Sequence, residues 1–393
     1  MPEILRAARA LPMTPGWPLL EDAAVVVHDQ VILDLGSFAH MRRKHDGPVR
    51  DLGDVTLAPA TFNSHTHLEM THLLGRTQSG QGFVPWIQSL LAENLYALDE
   101  VLVRQELARL ESRGCAFVAD ISTRNAPRLA EILAASGLFF TSFNEIIGQE
   151  AIGSAPPAPD TPSALLHQVR DVEDSGRGAC AMAGHALYST SPELLRAAKA
   201  ANTARGLPFS LHLAEHAAED AILLDGQGAF LDLLRARGFI TDYTAPGQRP
   251  APLAAELGLL DQGTLCVHCV TLTEADIALI AGSGASVCLC PRSNEYIGVG
   301  QAPLAAFLAA GVNLCLGTDG LCSNVDLDPY AELAWLAAQR RSALSLGQGL
   351  AFITVNPARF FGLQDRLGSL APGRLARFSV LPQAVLDAFS DGL

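Results

Sequence analysis

Apolar runs alternate with helix-forming segments through the middle of the chain, and this alternation predicts the fold. Eight runs have the composition of buried strands. Between several of them, Asp99 and Ser191 stand at helix N-cap positions, and Gly114 and Gly206 stand where helices end. The pattern predicts an α/β fold, a (β/α)8 TIM-like barrel whose chemistry is built at the carboxyl ends of its strands. The strand-like runs are residues 55–60, 115–121, 138–146, 180–188, 207–213, 264–270, 285–290 and 313–317.

A doubly wound open sheet is the alternative interpretation of the same alternation. Such a sheet favours a glycine-rich phosphate-binding turn after its first strand. Here the run 55–60 leads into Asn63-Ser64-His65-Thr66-His67, which carries two histidines in place of glycines. The barrel is therefore the better interpretation.

The two ends of the chain carry strand patterns of their own. Residues 23–27 and 31–33 flank His28-Asp29-Gln30, which predicts a β-hairpin. Near the other end, a turn at 367–373 precedes the strand-like run 378–381. A (β/α)8 barrel brings the beginning and the end of its chain close together. We therefore expect residues 1–58 and 362–393 to form a small β-sandwich domain, with residues 59–361 as the catalytic barrel.

Composition narrows the class of partner. The chain has 393 residues, of which 49% are hydrophobic and 17% charged, and its formal net charge is −14. So acidic a chain, without a long basic run, argues against a nucleic acid or an anionic membrane and favours small molecules. The first residues do not form a basic and then apolar leader, and no apolar run reaches about 18 residues. A cytoplasmic protein is therefore expected.

The cysteines are expected to be free. Strand-like apolar runs contain Cys115, Cys180, Cys266, Cys288, Cys290 and Cys315, which favours buried thiols over disulfides. Cys266 and Cys269 have the spacing of half a zinc site, but no second CxxC accompanies them.

Histidines and acids recur where the predicted strands end. In a strand, alternate side chains share a face, so His65 and His67 point toward one place. Neutral imidazoles with one carboxylate form a ligand set that suits Zn²⁺, and a catalytic site keeps one position open for water. The other residues at strand ends are His185, His212 with Glu215 three residues later, His268 and Asp319.

Four motifs in this order resemble the amidohydrolase superfamily, and specifically its TRZ/ATZ-like branch of aminohydrolases and chlorohydrolases. They are His65-Thr66-His67, His212-Leu213-Ala214-Glu215, His268-Cys269-Val270 and Gly317-Thr318-Asp319. Residues 356–359 and the turn before residue 373 also fit, so the resemblance covers nearly the whole chain. Ala60 and Arg377 depart from the family pattern, and both lie outside the metal site.

The resemblance implies a divalent metal ion, zinc or iron, and assigns roles around it. It places His268 beside the attacking water and makes Glu215 the residue that transfers protons to the substrate. Asp319 accepts a proton from the water as well as binding the ion. The metal ligands that the resemblance implies are His65, His67, His212 and Asp319.

The number of lysines predicts the number of ions. Binuclear members of the superfamily bridge two ions with a carbamylated lysine at the end of strand four. This chain has only Lys44, before the barrel, and Lys199, within a predicted helix. One ion per chain is therefore expected. The resemblance implies that His185, at the end of strand four, contacts the substrate ring.

A narrower resemblance concerns the substrate. His67-Leu68-Glu69 and residues 82–87 and 290–294 resemble the aminodeoxyfutalosine deaminases of the alternative menaquinone route, which act on an adenine nucleoside that carries a benzoate. This implies that Glu69 accepts hydrogen bonds from ribose hydroxyls, and that Phe83 and Trp86 flank an aromatic ring. Arg292 would pair with the carboxylate. In the competing interpretation, Phe83 and Trp86 are helix core and Arg292 caps a loop.

Two other functions stay open. The same residues would expel chloride from a triazine, open a cyclic amide, or deaminate adenosine, S-adenosylhomocysteine or guanine. A non-catalytic structural relative is the more distant alternative, and a buried acid beside four ligands argues against it. The branch also implies a homodimer.

Overall fold

The computed structural model describes residues 1–148, 176–239, 243–339 and 344–389 of the chain. The strands are β1 (Glu3–Ala10), β2 (Leu20–His28), β3 (Val31–Ser37), β4 (Val49–Asp51), β5 (Thr56–Pro59), β6 (Thr61–Thr66), β7 (Cys115–Ser122), β8 (Phe139–Ile146), β9 (Gly178–Gly184), β10 (Phe209–Leu213), β11 (Thr264–His268), β12 (Ser286–Leu289), β13 (Leu314–Leu316) and β14 (Phe378–Val380). The α-helices are α1 (Phe38–Lys44), α2 (Phe83–Leu90), α3 (Glu100–Ser112), α4 (Ala126–Ala134), α5 (Pro192–Arg205), α6 (Ala217–Asp225), α7 (Ala229–Ala236), α8 (Pro250–Glu256), α9 (Glu274–Ser283), α10 (Pro291–Ile297), α11 (Leu304–Ala310), α12 (Pro329–Gln339), α13 (Leu346–Phe352), α14 (Val355–Phe360) and α15 (Gln383–Ala388).

Strands β6 to β13 form the eight-stranded sheet of a nearly closed barrel, in which neighbours in the chain are neighbours in the sheet. The carbonyl oxygen of His65, near the end of β6, accepts the backbone N–H groups of Thr318 and Asp319 at 3.0 Å each. The chain after the last strand thus returns to the first. Most of these strands are buried along their whole length, as expected where helices cover a parallel sheet. The predicted (β/α)8 barrel is confirmed.

The predicted helix boundaries rest on identifiable caps. Asp99 Oδ1 accepts the backbone N–H groups of Val101 and Leu102 at the start of α3, at 3.1 and 3.0 Å. Ser191 Oγ accepts the N–H of Leu194 at the start of α5. Gly206 then ends α5 with φ of 66°, a left-handed conformation that glycine adopts without steric cost.

The apolar run 55–60 does not begin the barrel, which corrects the sequence-based expectation. Residues Thr56–Pro59 form β5, which pairs with β1 and β14 in another sheet. The first barrel strand is β6, which begins directly afterwards at Thr61. The apolar pattern stopped at Ala60 because β6 is mostly polar in sequence (TFNSHT), although all of its residues are buried.

The second sheet contains strands from both ends of the chain, as expected for this fold class. Its order is β14-β5-β1-β2-β3, with β4 paired to β1. The predicted hairpin is confirmed: β2 and β3 are antiparallel, and the turn residues Asp29 and Gln30 have φ of 50° and 62°, as a two-residue primed turn requires. On one face, α1 places Met41 against Ile4 and Val26.

The described residues fall into two compact units. One comprises Met1–Asn63, Ala108–Phe117 and the described chain from Asp328 onward, and the other comprises the described residues of Ser64–Leu107 and Val118–Leu327. The predicted boundaries at 58/59 and 361/362 remain a prediction. All eight cysteines are buried free thiols, as the sequence indicated. No helix in the described ranges is long and apolar enough to cross a membrane.

Candidate active site

Three histidines and one aspartate meet at the carboxyl end of the barrel strands. His65 lies in β6, His67 directly after it, His212 in β10, and Asp319 shortly after β13. The Nε2 atoms of His65 and His212 are 3.3 Å apart, and Asp319 Oδ1 lies 3.6 Å from His65 Nε2 and 3.4 Å from His67 Nε2. Ligand atoms bonded at about 2.0–2.1 Å to one tetrahedral ion lie about 3.3 Å apart. The four side chains therefore fit an ion of the zinc type.

Hydrogen bonds outside this group determine which atoms face the centre. His212 Nδ1 must donate to the backbone oxygen of His185, 3.0 Å away, because a carbonyl only accepts. The lone pair of His212 Nε2 therefore stays free. The hydroxyls of Ser293 and Ser323 donate to Asp319 Oδ2 at 2.6 and 2.7 Å, which leaves Oδ1 available as a ligand.

Burial lowers the pKa of His65 to about 3 and that of His212 to about 4, so both imidazoles are neutral at pH 7. Burial also disfavours the charged form of His67, but Asp319 and the nearby carboxylates raise its pKa above the usual value. Burial acts in the opposite direction on Asp319, but the hydrogen bond with His65 and the imidazoles of His67 and His268 hold its pKa well below the usual range. Neutral imidazoles and an ionised carboxylate are the forms that bind a metal ion.

Glu215 and His268 lie beside the four ligand-type residues. His268 Nε2 is 3.8 Å from Glu215 Oε1, and both side chains are buried. Burial, together with the charge of Asp319, raises the pKa of Glu215 to about 8. A carboxyl group with such a pKa can take up and release a proton near neutral pH. His268 Nδ1 donates to Asn294 Oδ1 at 2.9 Å, so its Nε2 is an acceptor on the side of Glu215.

The backbone is unusual where these side chains are attached. Ala214, His268, Cys269 and Asp319 have φ of 51°, 70°, 52° and 59°. Residues other than glycine rarely adopt this left-handed region. Each of the four lies at or just after a strand end that carries a candidate site residue. Such strain persists where the surrounding structure fixes the geometry of a site.

Gly317 occupies a position where no side chain fits. A Cβ there would lie 2.6 Å from His65 Cβ and 2.8 Å from the His65 backbone nitrogen. Gly317→Ala is therefore expected to separate β13 from β6 and to lower both the bound metal per chain and the melting temperature. Metal analysis and thermal unfolding measure the two effects.

Gly347 supplies the matched control for that substitution. It is an exposed residue of α13 with no atom within 4 Å of an added Cβ. Alanine is expected to stabilise this helix position by about 0.5–1 kcal/mol. Full metal content in Gly317→Ala would contradict the importance of this close approach.

A cavity of about 400 Å³ is lined by aromatic side chains and by the candidate site residues His67, His212, Glu215, His268 and Asp319. Phe83, Trp86 and His185 all contribute to its lining, and their contacts with a substrate remain predictions. The rings of Phe83 and Trp86 lie 5.4 Å apart, and Trp86 Nε1 donates to the backbone oxygen of Cys322 at 3.0 Å. Phe83 also stacks on His216, with ring centroids 3.5 Å apart. These two aromatic residues are thus both packed in the protein and in contact with the cavity.

Glu69 and Arg292 are not among the lining residues. Glu69 is 1% exposed, and its carboxylate accepts the backbone N–H groups of residues 123, 124 and 125 at 2.9, 3.1 and 3.0 Å. Arg292 forms a two-point ion pair with Asp326, at 2.8 and 3.3 Å. The polar groups of both side chains are engaged within the protein, and their roles toward a substrate remain predictions.

Glu145 and Glu219 are two buried acids near the site that the sequence analysis missed. Glu145 lines the cavity, accepts the Thr123 hydroxyl at 2.7 Å and lies 3.4 Å from His212 Nδ1. Glu219 accepts the backbone N–H of Glu215 at 2.9 Å. The position of Glu145, one residue before the end of β8, was a signal that strand-end reasoning could have used.

Comparisons with known proteins agree with this geometry. The model of the amidohydrolase family matches residues 56–391. The 5-methylthioadenosine/S-adenosylhomocysteine deaminase of Nitratidesulfovibrio vulgaris is 30% identical over 337 residues, which cover 84% of this chain and 71% of the relative. The protein of the same name from Teredinibacter turnerae is 29% identical over 98% of this chain and 84% of its own length.

Two solved structures share the fold. An adenosine deaminase from Xanthomonas campestris with bound zinc has a TM-score of 0.78 and 27% identity, over 96% of this chain and 83% of that one. The aminofutalosine deaminase of Helicobacter pylori, in complex with methylthio-coformycin, has a TM-score of 0.86 and 21% identity, over 99% and 95%. At that identity the second similarity supports the fold alone.

Proposed function

The chain belongs to the amidohydrolase family and is a hydrolytic enzyme that acts on C–N bonds, and on that premise we propose that it deaminates an adenine-type nucleoside and releases ammonia. One observation carries the proposal. Three of the four ligand-type side chains line one cavity of about 400 Å³ together with the His268 imidazole and the Glu215 carboxyl group, whose pKa is about 8, and the fourth, His65, lies beside His67 and Asp319. The names of two relatives, both deaminases of adenine nucleosides, support the substrate class.

His65, His67, His212 and Asp319 hold the divalent ion in this proposal, and zinc is the ion that their nitrogen and oxygen donors suit best. When bound, the ion makes a water molecule acidic enough to act as a nucleophile near neutral pH.

One ion per chain is proposed, because neither lysine is available as a bridging ligand. Lys199 Nζ donates to Asp261 at 2.6 Å and to Thr264 at 2.8 Å. Lys44 Nζ pairs with Asp34 at 2.5 Å.

The proton transfers are assigned to side chains of this protein. Asp319 Oδ1 accepts a proton from the attacking water, and His268 Nε2 accepts a hydrogen bond from it. As the water oxygen bonds to the amine-bearing ring carbon, the C=N electron pair moves to the adjacent ring nitrogen, which takes a proton from Glu215. Asp319 passes the proton that it accepted to the amino group, the C–N bond breaks, and ammonia leaves. The remaining O–H proton goes to Glu215, so both carboxyl groups return to their starting states. The product then carries a ring carbonyl and a ring N–H.

The base is held by His185 and by the faces of Phe83 and Trp86 in this proposal, since all three line the cavity. Among adenine-type nucleosides we propose one like aminodeoxyfutalosine, which would place the enzyme in menaquinone biosynthesis. The motif resemblance around Glu69, residues 82–87 and residues 290–294 supports this narrower choice.

Ammonia release across a substrate panel tests the proposal. The panel contains aminodeoxyfutalosine, adenosine, 5′-methylthioadenosine, S-adenosylhomocysteine, guanine, a chlorotriazine and a cyclic amide, each incubated with metal-loaded enzyme. We expect ammonia from the adenine nucleosides, with the highest kcat/KM for aminodeoxyfutalosine. Glu215→Gln, purified in the same way, controls for a contaminating deaminase. If the enzyme released chloride from the triazine or opened the cyclic amide and left every nucleoside unchanged, the proposed deaminase activity would be wrong. The corresponding hydrolase activity would take its place.

A further inference from the structure

Arg124 carries the single Lys or Arg charge among the described residues that line the cavity. It follows β7 closely, and its backbone N–H donates to Glu69 at 3.1 Å, which fixes the main chain there. The acidic residues in the lining are Glu145, Glu215 and Asp319, each of which carries a negative charge when it is ionised. The pKa of His185 is lowered to about 4. Burial is the largest cause, followed by the neighbouring imidazoles and then by the positive charge of Arg124.

The guanidinium of Arg124 has no acidic partner within the described part of the chain. The guanidinium lies over the ring of Tyr96, whose centroid is 5.1 Å from Arg124 Cζ. By contrast, Arg128, four residues later, pairs with Glu100 and Glu131. The chain has 41 acids for 27 Lys and Arg residues, so partners are abundant. An arginine that stacks on an aromatic ring keeps the N–H donors at its edge available for a carboxylate.

The outer lining of the same cavity is apolar. Leu91, Leu95 and Leu234 contribute to it, with Ile147 and Phe239. Ile147 is 46% exposed and Phe239 is 52% exposed, although both are large hydrophobic side chains. Exposed apolar surface of this kind, next to a few polar groups that fix orientation, is typical of a ligand-binding site.

We infer that Arg124 determines substrate specificity by binding the anionic end of a substituent whose body is apolar. This inference rests on the proposed function and deepens it: Arg124, rather than Arg292, is the residue that binds the carboxylate of the aminodeoxyfutalosine-like substrate proposed above. The apolar lining covers the body of the group, and the guanidinium pairs with its carboxylate in a two-point contact. A zwitterionic tail fits less well, because its ammonium would lose water in apolar surroundings.

Two synthetic nucleosides that differ only in this charge test the inference. They are 5′-deoxy-5′-(phenylthio)adenosine and 5′-deoxy-5′-(3-carboxyphenylthio)adenosine, and kcat/KM for both is measured with metal-loaded enzyme. We expect the unmodified enzyme to favour the carboxylate by about ten- to a hundredfold, the range of a charge-assisted hydrogen bond. Arg124→Gln should bring the ratio to within about threefold, and Arg124→Lys should give an intermediate ratio.

Two other arginines make the comparison specific. Arg128→Gln is the matched control, since Arg128 is an exposed residue of the following helix that pairs with Glu100 and Glu131, and it should keep the full ratio. Arg292→Gln tests the sequence-based assignment of the carboxylate contact. If Arg292→Gln removes the preference while Arg124→Gln keeps it, the inference is overturned.

Calorimetric binding of the same two nucleosides separates this inference from the proposed function. If the unmodified, metal-loaded enzyme deaminates neither nucleoside, the proposed function fails. The inference still stands in that case when the carboxylate binds about tenfold or more tightly and Arg124→Gln abolishes the difference. Equal binding of the two nucleosides by the unmodified enzyme overturns the inference, whatever the turnover. Thermal unfolding of each variant confirms that a lost ratio does not reflect a lost fold.

Discussion

Glu215→Gln is expected to lower kcat by about 10²- to 10⁴-fold while the enzyme keeps close to its full metal content. The amide preserves the shape of the side chain and its hydrogen-bonding reach, but it removes the group that titrates. Glu215 stands beside the ligand-type residues, with Oε1 3.8 Å from His268 Nε2. It is therefore placed to exchange a proton with the substrate without binding the ion.

Glu219→Gln is the matched control for this prediction. Glu219 is also buried, and burial raises its pKa to about 8, as it does for Glu215. Glu219 does not line the cavity, however, and the amide oxygen of glutamine can still accept the backbone N–H of Glu215. We expect it to keep most of kcat. Loss of metal from Glu215→Gln would make Glu215 a ligand, and unchanged kcat would move the proton transfer to another residue.

The convergence of the strand-end side chains was predictable from the sequence because it depends on two local regularities. Alternation along a strand puts His65 and His67 on one side, and parallel strands bring their carboxyl ends together. His212 and Asp319 could be assigned to that end from the apolar runs that precede them. The structure accordingly brings these side chains to within hydrogen-bonding or ligand distance of one another.

What the sequence could not reveal depends on contacts between distant segments. Glu69 looks like a substrate residue beside His67, yet its carboxylate caps the backbone of residues 123–125, more than 50 positions away. The Ser293 hydroxyl, one of the two that orient Asp319, comes from α10, which follows a different strand, β12. No periodic pattern encodes such contacts, because each is a single pair of atoms.

The left-handed conformations of Ala214 and Asp319 also depend on the rest of the fold and not on the local sequence. Local preference disfavours them in any residue other than glycine, so a sequence-based prediction assigns ordinary backbone there. The change from one sheet to the other at Ala60 was likewise not predictable, since β6 is buried although its sequence is mostly polar, and burial alone does not indicate which strand will be the partner. Pairing is decided by the rest of the fold.

His212→Ala is expected to abolish metal binding and activity together, in contrast to Glu215→Gln. The imidazole Nε2 lies 3.3 Å from His65 Nε2, and alanine leaves no donor at that place. Even residues that only support a ligand change metal affinity by about 10- to 100-fold, so loss of a ligand itself should exceed that range. Metal content per chain by mass spectrometry and kcat on the best nucleoside of the panel are the two measurements.

His185→Ala is the matched control for His212→Ala, and it also tests whether one or two metal ions bind per chain. Glu145, His185 and His212 form a second group whose potential ligand atoms lie within 4.8 Å of one another. His212, however, uses its Nδ1–H to bond the backbone oxygen of His185, and that oxygen remains when the side chain is removed. With one ion per chain, His185→Ala should keep the metal and raise KM, because only a contact to the base is lost. Two ions in the unmodified enzyme and one in His185→Ala would instead show that the second group binds metal, and the proposed mononuclear site would be wrong.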